Sequence, residues 1–255
     1  MLKTPEIVLA VALPIEARAF APLFAKGQPI QGAGVSGIGG EISGVPTWLI
    51  ETGVGPHAAA RIARKIAEIG PKALISTGLA GALSPAIRPG SLILAHEVRD
   101  EGNLKGSGLK PPPALLATAR AAIGGSRISV STGILLTVSA PVTRPKDKIR
   151  MGKESGAIAV DMESAPLLQI TAEYEIPALV LRGVSDGAHD TLPDFTNRDP
   201  ATWRGQLAIA AEAIPSPKKL RNLIGIARGT RRALQSLSAA HAVLVPALAR
   251  TIRES

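Results

Sequence analysis

The sequence predicts an α/β fold. Short apolar runs of strand length recur along all but the last part of the chain, and stretches of helical length lie between several of them. Strand and helix patterns alternate without internal repeats, which indicates one α/β unit rather than a string of modules. Several of the apolar runs end in charged residues, on the side of such a sheet where ligands bind.

Ile7 to Leu13 reads as a buried first strand, closed by Pro14-Ile15-Glu16-Ala17-Arg18. Glu16 lies either at the ligand end of the sheet or simply at a helix entry, where the dipole favours a carboxylate. Gly32 to Gly37 matches GxGxxG, but further glycines follow and the segment leads into Val45 to Ile50. That is a hairpin pattern, not the strand-to-helix turn a dinucleotide site requires. Thr52-Gly53-Val54-Gly55-Pro56-His57 precedes a helix from about Ala58 to Ile69, and its glycines either form a tight turn or bring N–H groups to an anion or sugar. Ala73 to Ser76 is the next strand, followed by small residues from Thr77 to Leu83. Ser91 to Ala95 is another strand, and residues 101 to 113 read as a mobile polar loop. Arg127 to Leu136 supplies a further strand, with Ser139 to Lys148 as a loop on the ligand face.

The central stretch runs from Ala157 to Phe195. A strand ends on Asp161-Met162-Glu163, a helix extends to about Glu175, and a strand from Ala178 ends on Arg182-Gly183-Val184-Ser185-Asp186. Glu163, Arg182 and Asp186 are expected to converge on one pocket, with Glu16 joining from the first strand. A helix is expected over Trp203 to Ala213.

Composition sets the bounds. The 255 residues are 45% hydrophobic but only 2% aromatic, so the core must be aliphatic. There is no cysteine, hence no disulfide, thiolate metal site or cysteine nucleophile. The apolar N-terminal run is too short for a signal peptide and reads as a strand; a cytoplasmic location is the expectation. The net charge of +9 is concentrated from Ser216 onward, where eight basic residues face Glu254 alone. This divides the chain into residues 1–215 and a basic, amphipathic, helical extension over 216–255. Leu220, Leu223, Ile224, Ala227 and Leu234 are spaced for an apolar face. Such a helix either packs on the main unit or lies peripherally on an anionic membrane. Nucleic acid is not expected as a partner, since no aromatics interleave with the basic residues.

Three chemistries compete. The histidines (His57, His96, His189, His241) are too scattered for a metal site, and none is expected. Gly183-Val184-Ser185-Asp186-Gly187 spells the GxSxG of serine hydrolases, with Asp199 and His241 as formal partners, but the residues that follow start a helix poorly. Carboxylates at Glu16, Glu163 and Asp186 would suit cleavage of a glycosidic bond, in which one carboxyl protonates the leaving group and another steers the nucleophile.

At these residues the chain resembles the superfamily of purine nucleoside phosphorylases and methylthioadenosine–adenosylhomocysteine nucleosidases. The carriers are Val160-Asp161-Met162-Glu163-Ser164-Ala165 and Leu181-Arg182-Gly183-Val184-Ser185-Asp186, supported by Ala12-Leu13-Pro14-Ile15-Glu16, Thr52-Gly53-Val54-Gly55 and Ser76-Thr77-Gly78-Leu79-Ala80-Gly81. The resemblance implies a three-layer sandwich with a mixed, partly closed central sheet, and a homo-oligomer acting on a small-molecule nucleoside without a cofactor. It implies Asp186 as the general acid toward a departing purine and Glu16 as the activator of water. Glu163 would bind the ribose hydroxyls, Met162 would pack on the sugar, and Arg182 would lie near the nucleophile, with Gly78 and Val142 as further substrate-binding positions. Leu79 stands where relatives carry Ser or Thr, and the Val138 to Thr143 loop lacks an aromatic. Within the superfamily the chain looks most like the hopanoid-associated branch, through Leu135-Leu136-Thr137-Val138, the VDMES core and the basic extension. That branch implies adenosylhopane as substrate and phosphate as co-substrate. Methylthioadenosine or adenosylhomocysteine cleavage by water is the alternative, and a non-catalytic membrane-binding protein is the alternative of another class.

Overall fold

The computed structural model describes residues 2–125, 128–193 and 216–254. The expected helix over Trp203 to Ala213, Arg127, Phe195 and Asp199 lie outside the described residues.

Among the described residues, nine strands form one sheet: β1 (Ile7–Val11), β2 (Ala25–Pro29), β3 (Ser36–Ile42), β4 (Val45–Glu51), β5 (Ala73–Ala82), β6 (Leu92–Asp100), β7 (Val130–Thr137), β8 (Ala157–Asp161) and β9 (Ala178–Asp186). Their order is β2-β3-β4-β1-β5-β8-β7-β6-β9, and β9 returns to pair with β5. Five strands (β5, β8, β7, β6, β9) therefore close into a ring, while β1 to β4 continue as an open wing. This is the mixed, partly closed sheet that the resemblance implies. The hairpin expected after the Gly32 to Gly37 motif is the antiparallel β3–β4 pair, from Ser36↔Glu51 to Ile42↔Val45.

The closure rests on β5, whose ten residues belong to both parts. It pairs parallel with β1 and with β9, while its last residues, Gly81 and Ala82, pair antiparallel with Val160 and Ala159 of β8. The small residues that follow Ser76 thus continue the strand as far as Ala82. Small side chains let β5 bend across the ring with other strands close on both edges. The central unit also departs from a simple parallel βαβ: β8 and β9 are not neighbours but flank β5. The ends of β8 and β9 meet because the ring closes.

Among the described residues, six helices cover the sheet: α1 (Pro14–Phe20), α2 (Pro56–Ile69), α3 (Pro113–Gly124), α4 (Pro145–Ser155), α5 (Ser164–Glu173) and α6 (Pro217–Glu254). The pattern reading missed α3 and α4. Ala-rich α3 buries only Leu115, Ala119 and Ile123, and α4 buries only Lys148 and Ser155, so neither carries a strong apolar stripe. Within residues 101 to 113, read as a mobile loop, Gly108 and Leu109 bond to β6. Val98 and Leu109 exchange two backbone hydrogen bonds of 2.8 Å, and Gly108 N–H donates to Glu97.

The second half of α6 docks on the sheet. Leu237, Ala240, Leu244, Val245 and Leu248 join Ile7, Leu9, Leu49, Ile75, Leu179 and Leu181 in one aliphatic core. Gly183 of the GxSxG segment makes this approach possible, because a Cβ there would stand 2.9 Å from both Ala233 Cβ and Leu237 Cδ1. Its role is helix–strand packing. The first half of α6 keeps Leu220 and Ile224 exposed. Among the described residues, no helix is long and apolar enough to cross a membrane.

Candidate active site

The loops that follow β1, β4, β7 and β8, together with the end of β9, surround a cavity of about 270 Å³. Glu16, Met162, Glu163, Asp186 and Val142 all line it, as does Asp161. Residues separated by as much as 170 positions are thereby brought to one wall. Arg182 and Gly78 are not among the lining residues and lie behind it, next to Glu16.

Glu16 satisfies both readings of its position. Its Oε2 accepts the backbone N–H groups of Ala12 (2.9 Å) and Leu13 (2.8 Å) at the start of α1. Its Oε1 accepts Leu79 N–H of β5 at 2.7 Å. The carboxyl is 2% exposed, and burial pushes its pKa up. The Arg182 charge and the three backbone donors pull it back down. Gly78, at φ +133°, makes this packing possible: a Cβ there would lie 2.6 Å from Glu16 Oε1 and 2.8 Å from Arg182 Nη1. Few conformations outside glycine's range reach that φ.

Glu163 follows β8 and accepts Gly55 N–H at 2.9 Å. The Thr52–Gly55 loop thus brings an N–H to an anion, and that anion is a side chain of the protein itself. Burial first, and then the Asp161 charge, push Glu163 up to about 7; Arg182 and the Gly55 N–H oppose the shift. Asp161 is anchored by an Arg182 ion pair of 2.6 Å, by Thr137 Oγ1–H at 2.7 Å and by Ser164 N–H at 3.1 Å. Arg182, 1% exposed, also donates to Thr77 O, Ser76 Oγ and Ser164 Oγ, which leaves only its Nε without a partner. It acts as the buried counter-charge to the carboxylates.

Asp186 ends β9. Its Oδ1 accepts Ser185 Oγ–H at 2.5 Å, and its Oδ2 accepts an ammonium proton of Lys148. Sequence reasoning missed both Lys148 and Asp161 as site residues. Asp161 was visible as the partner of Glu163 in the VDMES run. Lys148 gave no signal, because nothing in PKDKIRMGKES marks one lysine as buried.

The serine-hydrolase elements do not assemble. Ser185 lies inside β9 and is followed by a turn at Gly187–Asp190 rather than a helix. His241 is fully buried, shares a 2.8 Å hydrogen bond with Thr77 Oγ1, and is lowered to about 3 by burial. A neutral, enclosed imidazole on Thr77 is not a base for Ser185. Among the described residues no cluster of His, Asp or Glu could hold a metal ion.

A second cavity, of about 1000 Å³, shares Leu13, Leu79, Leu192, Ile226 and Thr230 with the first. It runs between α1 and the first half of α6. Its walls are largely apolar, from Ile15, Ala19 and Leu23 on one side and Leu223, Ala227 and Leu234 on the other. The carboxylate cavity therefore opens directly into a long apolar cleft.

Comparison with known proteins agrees with this architecture. A family model described as "Phosphorylase superfamily" matches residues 6–214. Among solved structures, the 5′-methylthioadenosine/S-adenosylhomocysteine nucleosidase of Neisseria meningitidis, in complex with methylthio-immucillin-A, is similar with TM-score 0.73. It is 18% identical, over 94% of this chain and 97% of that one. Futalosine hydrolase of Helicobacter pylori is similar with TM-score 0.73 and 16% identity, over 95% and 98%. The methylthioadenosine/adenosylhomocysteine nucleosidase of Colwellia psychrerythraea, in complex with adenine, gives TM-score 0.70 and 18% identity, over 98% and 97%.

Proposed function

The chain belongs to the phosphorylase superfamily, and from that premise we propose that this enzyme cleaves the N-glycosidic bond of a 5′-substituted adenosine and releases adenine. The observation that carries the proposal is the meeting of Glu16, Glu163 and Asp186 on one cavity. Asp186 is the acid in its protonated form: as the C1′–N9 bond breaks and its electron pair moves into the purine, the carboxyl proton passes to N7, and the Ser185 hydroxyl and Lys148 ammonium stabilise the carboxylate left behind. Glu163 accepts hydrogen bonds from the ribose hydroxyls, with Met162 beneath the sugar. Glu16, held by three N–H donors and facing Arg182, is the base that takes a proton from the nucleophile as it meets the oxocarbenium centre. Gly78 makes room for that carboxylate, and Val142 contributes an apolar wall for the base.

Water suits this cavity better than phosphate. Its described lining includes four carboxylates and no Lys, Arg or His, and Arg182 commits both Nη groups to Thr77, Ser76, Ser164 and Asp161. A phosphate dianion would face four carboxyl groups with only Arg182 and Lys148 as counter-charges, both already engaged with them. Phosphorolysis therefore stands on the family resemblance alone. The adjoining cleft bears on the 5′ group: cavities of roughly 300–1000 Å³ take drug-sized ligands, and this one is at the upper end and apolar. A large hydrocarbon substituent, as in adenosylhopane, fits it better than the polar amino-acid tail of adenosylhomocysteine.

The same surface favours peripheral membrane contact. Exposed Leu220 and Ile224 lie on the half of α6 that walls the cleft, as do exposed Arg221, Arg228 and Arg231. Basic residues near an anionic bilayer contribute about 1 kcal/mol each. A homo-oligomer follows from the family resemblance, and sedimentation tests it.

Adenine release from methylthioadenosine, adenosylhomocysteine and adenosylhopane, each with and without phosphate, tests the proposal. Release without phosphate, fastest for the apolar 5′ group, is expected. Absence of adenine from all three refutes the reaction, and strict phosphate dependence refutes the choice of water.

A further inference from the structure

α4 is a charged helix on the protein surface, yet Lys148 is completely buried while the adjacent Ile149 is only half-buried. A helix that turns a lysine inward and leaves an isoleucine at its edge goes against the ordinary distribution of these residues. Burying an ammonium is costly unless every donor finds an acceptor. Lys148 has three acceptors for its three N–H groups: Asp186 Oδ2, Gly187 O at 3.1 Å and Asp190 O at 3.1 Å. The turn it grips is closed on itself by Asp190 N–H to Gly187 O (3.1 Å) and Gly187 N–H to Asp190 Oδ2 (2.8 Å).

Resting on the cleavage proposed above, the geometry points to Lys148 as the positioning residue for Asp186. Ser185 holds one carboxyl oxygen and Lys148 the other, so the carboxyl plane cannot rotate away from the cavity wall. The same nitrogen ties the Gly187–Asp190 turn to α4, directly after the β7–α4 loop that carries Val142. Lys148 makes no hydrogen bond to Glu16 or Glu163, whose partners lie in the turn between β1 and α1, on β5 and in the Thr52–Gly55 loop. Its influence should therefore fall on protonation of the leaving group and not on sugar binding or water activation.

The test compares two leaving groups in wild type and Lys148→Met. Adenine needs a proton to depart, whereas the nitrophenolate of 4-nitrophenyl riboside does not. Lys148→Met is expected to lower kcat for adenine release by at least about tenfold, with KM within about threefold. The ratio of adenine to nitrophenolate release should fall by a similar factor. The chain has no cysteine, so Lys148→Cys can be alkylated at that one position with 2-bromoethylamine in denaturant and refolded. Return of the ratio on restoring the ammonium is expected, and no return overturns the proposal. Equal loss on both substrates, or no loss on either, also overturns it. Should Lys148→Met not fold, Lys148→Arg keeps the charge with a different donor shape, and the same ratio decides. If wild type releases neither leaving group, the cleavage reading itself fails, an outcome distinct from a variant that behaves like wild type.

Discussion

Replacing Glu163 by glutamine should stabilise the folded protein at pH 8 while slowing the enzyme. Burial and the neighbouring Asp161 raise this carboxyl from 4.5 to about 7. Between those values the folded chain holds a proton that the unfolded chain has released. The contribution is fully present below pH 4.5 and is lost as pH rises through 7. At about 1.36 kcal/mol per pKa unit, the loss is at most about 3.4 kcal/mol, and charge sharing with Asp161 and Glu16 makes roughly half of that the expected value. Glutamine keeps an acceptor for Gly55 N–H and carries no charge. Glu163→Gln should then gain about 1.5–3 kcal/mol at pH 8, or roughly 3–10 °C in Tm for a chain of this size, and almost nothing at pH 4.5. Urea unfolding of both proteins across this range measures it. A loss of stability at pH 8, or the same gain at both pH values, would refute the assignment of Glu163 as a charge held in place against folding. Adenine release should fall in the same variant, because an amide is a weaker acceptor for two ribose hydroxyls than a carboxylate.

His241 acts in the opposite direction. Lowered to about 3 by burial, it makes stability rise with pH from 3 to 6.5, so His241→Gln should flatten the acid limb by up to about 1.4 kcal/mol per pH unit, read from acid titration of unfolding. Gly78→Ala should cost roughly 2–4 kcal/mol and abolish adenine release, since its Cβ collides with Glu16 and Arg182 at φ +133°; a stable, active variant would contradict the packing. Ser185→Ala removes one hydrogen bond to Asp186 and should slow adenine release by about 10–100-fold without abolishing it. Asp186→Asn should cost at least about 100-fold in kcat. Wild type should resist fluorophosphonate labelling, and labelled Ser185 would restore the hydrolase reading.

Much of this site is local in character and so was legible. Asp161-Met162-Glu163 and Arg182 to Asp186 stand at strand ends, where an apolar run gives way to charge. A continuous apolar run and its interruption by charge can be read without coordinates. The reading failed where a residue's environment is made by distant chain. The strand read over Ala73 to Ser76 in fact runs on to Ala82, because β8 and β9 pair with its small residues. Gly183 looks like half of a nucleophile elbow, and it is bare because α6 lies on it. Lys148 looks like any lysine on a polar helix.

Residue type and order alone determined the α/β alternation, the aliphatic core and the placing of carboxylates at strand ends, because hydrophobic periodicity and strand termination are properties of neighbouring residues. Tertiary structure decided that five strands close into a ring, that Arg182 lies behind the cavity as a counter-charge, and that Lys148 reaches Asp186. It also decided that the cavity continues into an apolar cleft beneath α6. Burial and charge pairing depend on which surfaces meet, and that is set only when β5 joins the open wing to the ring.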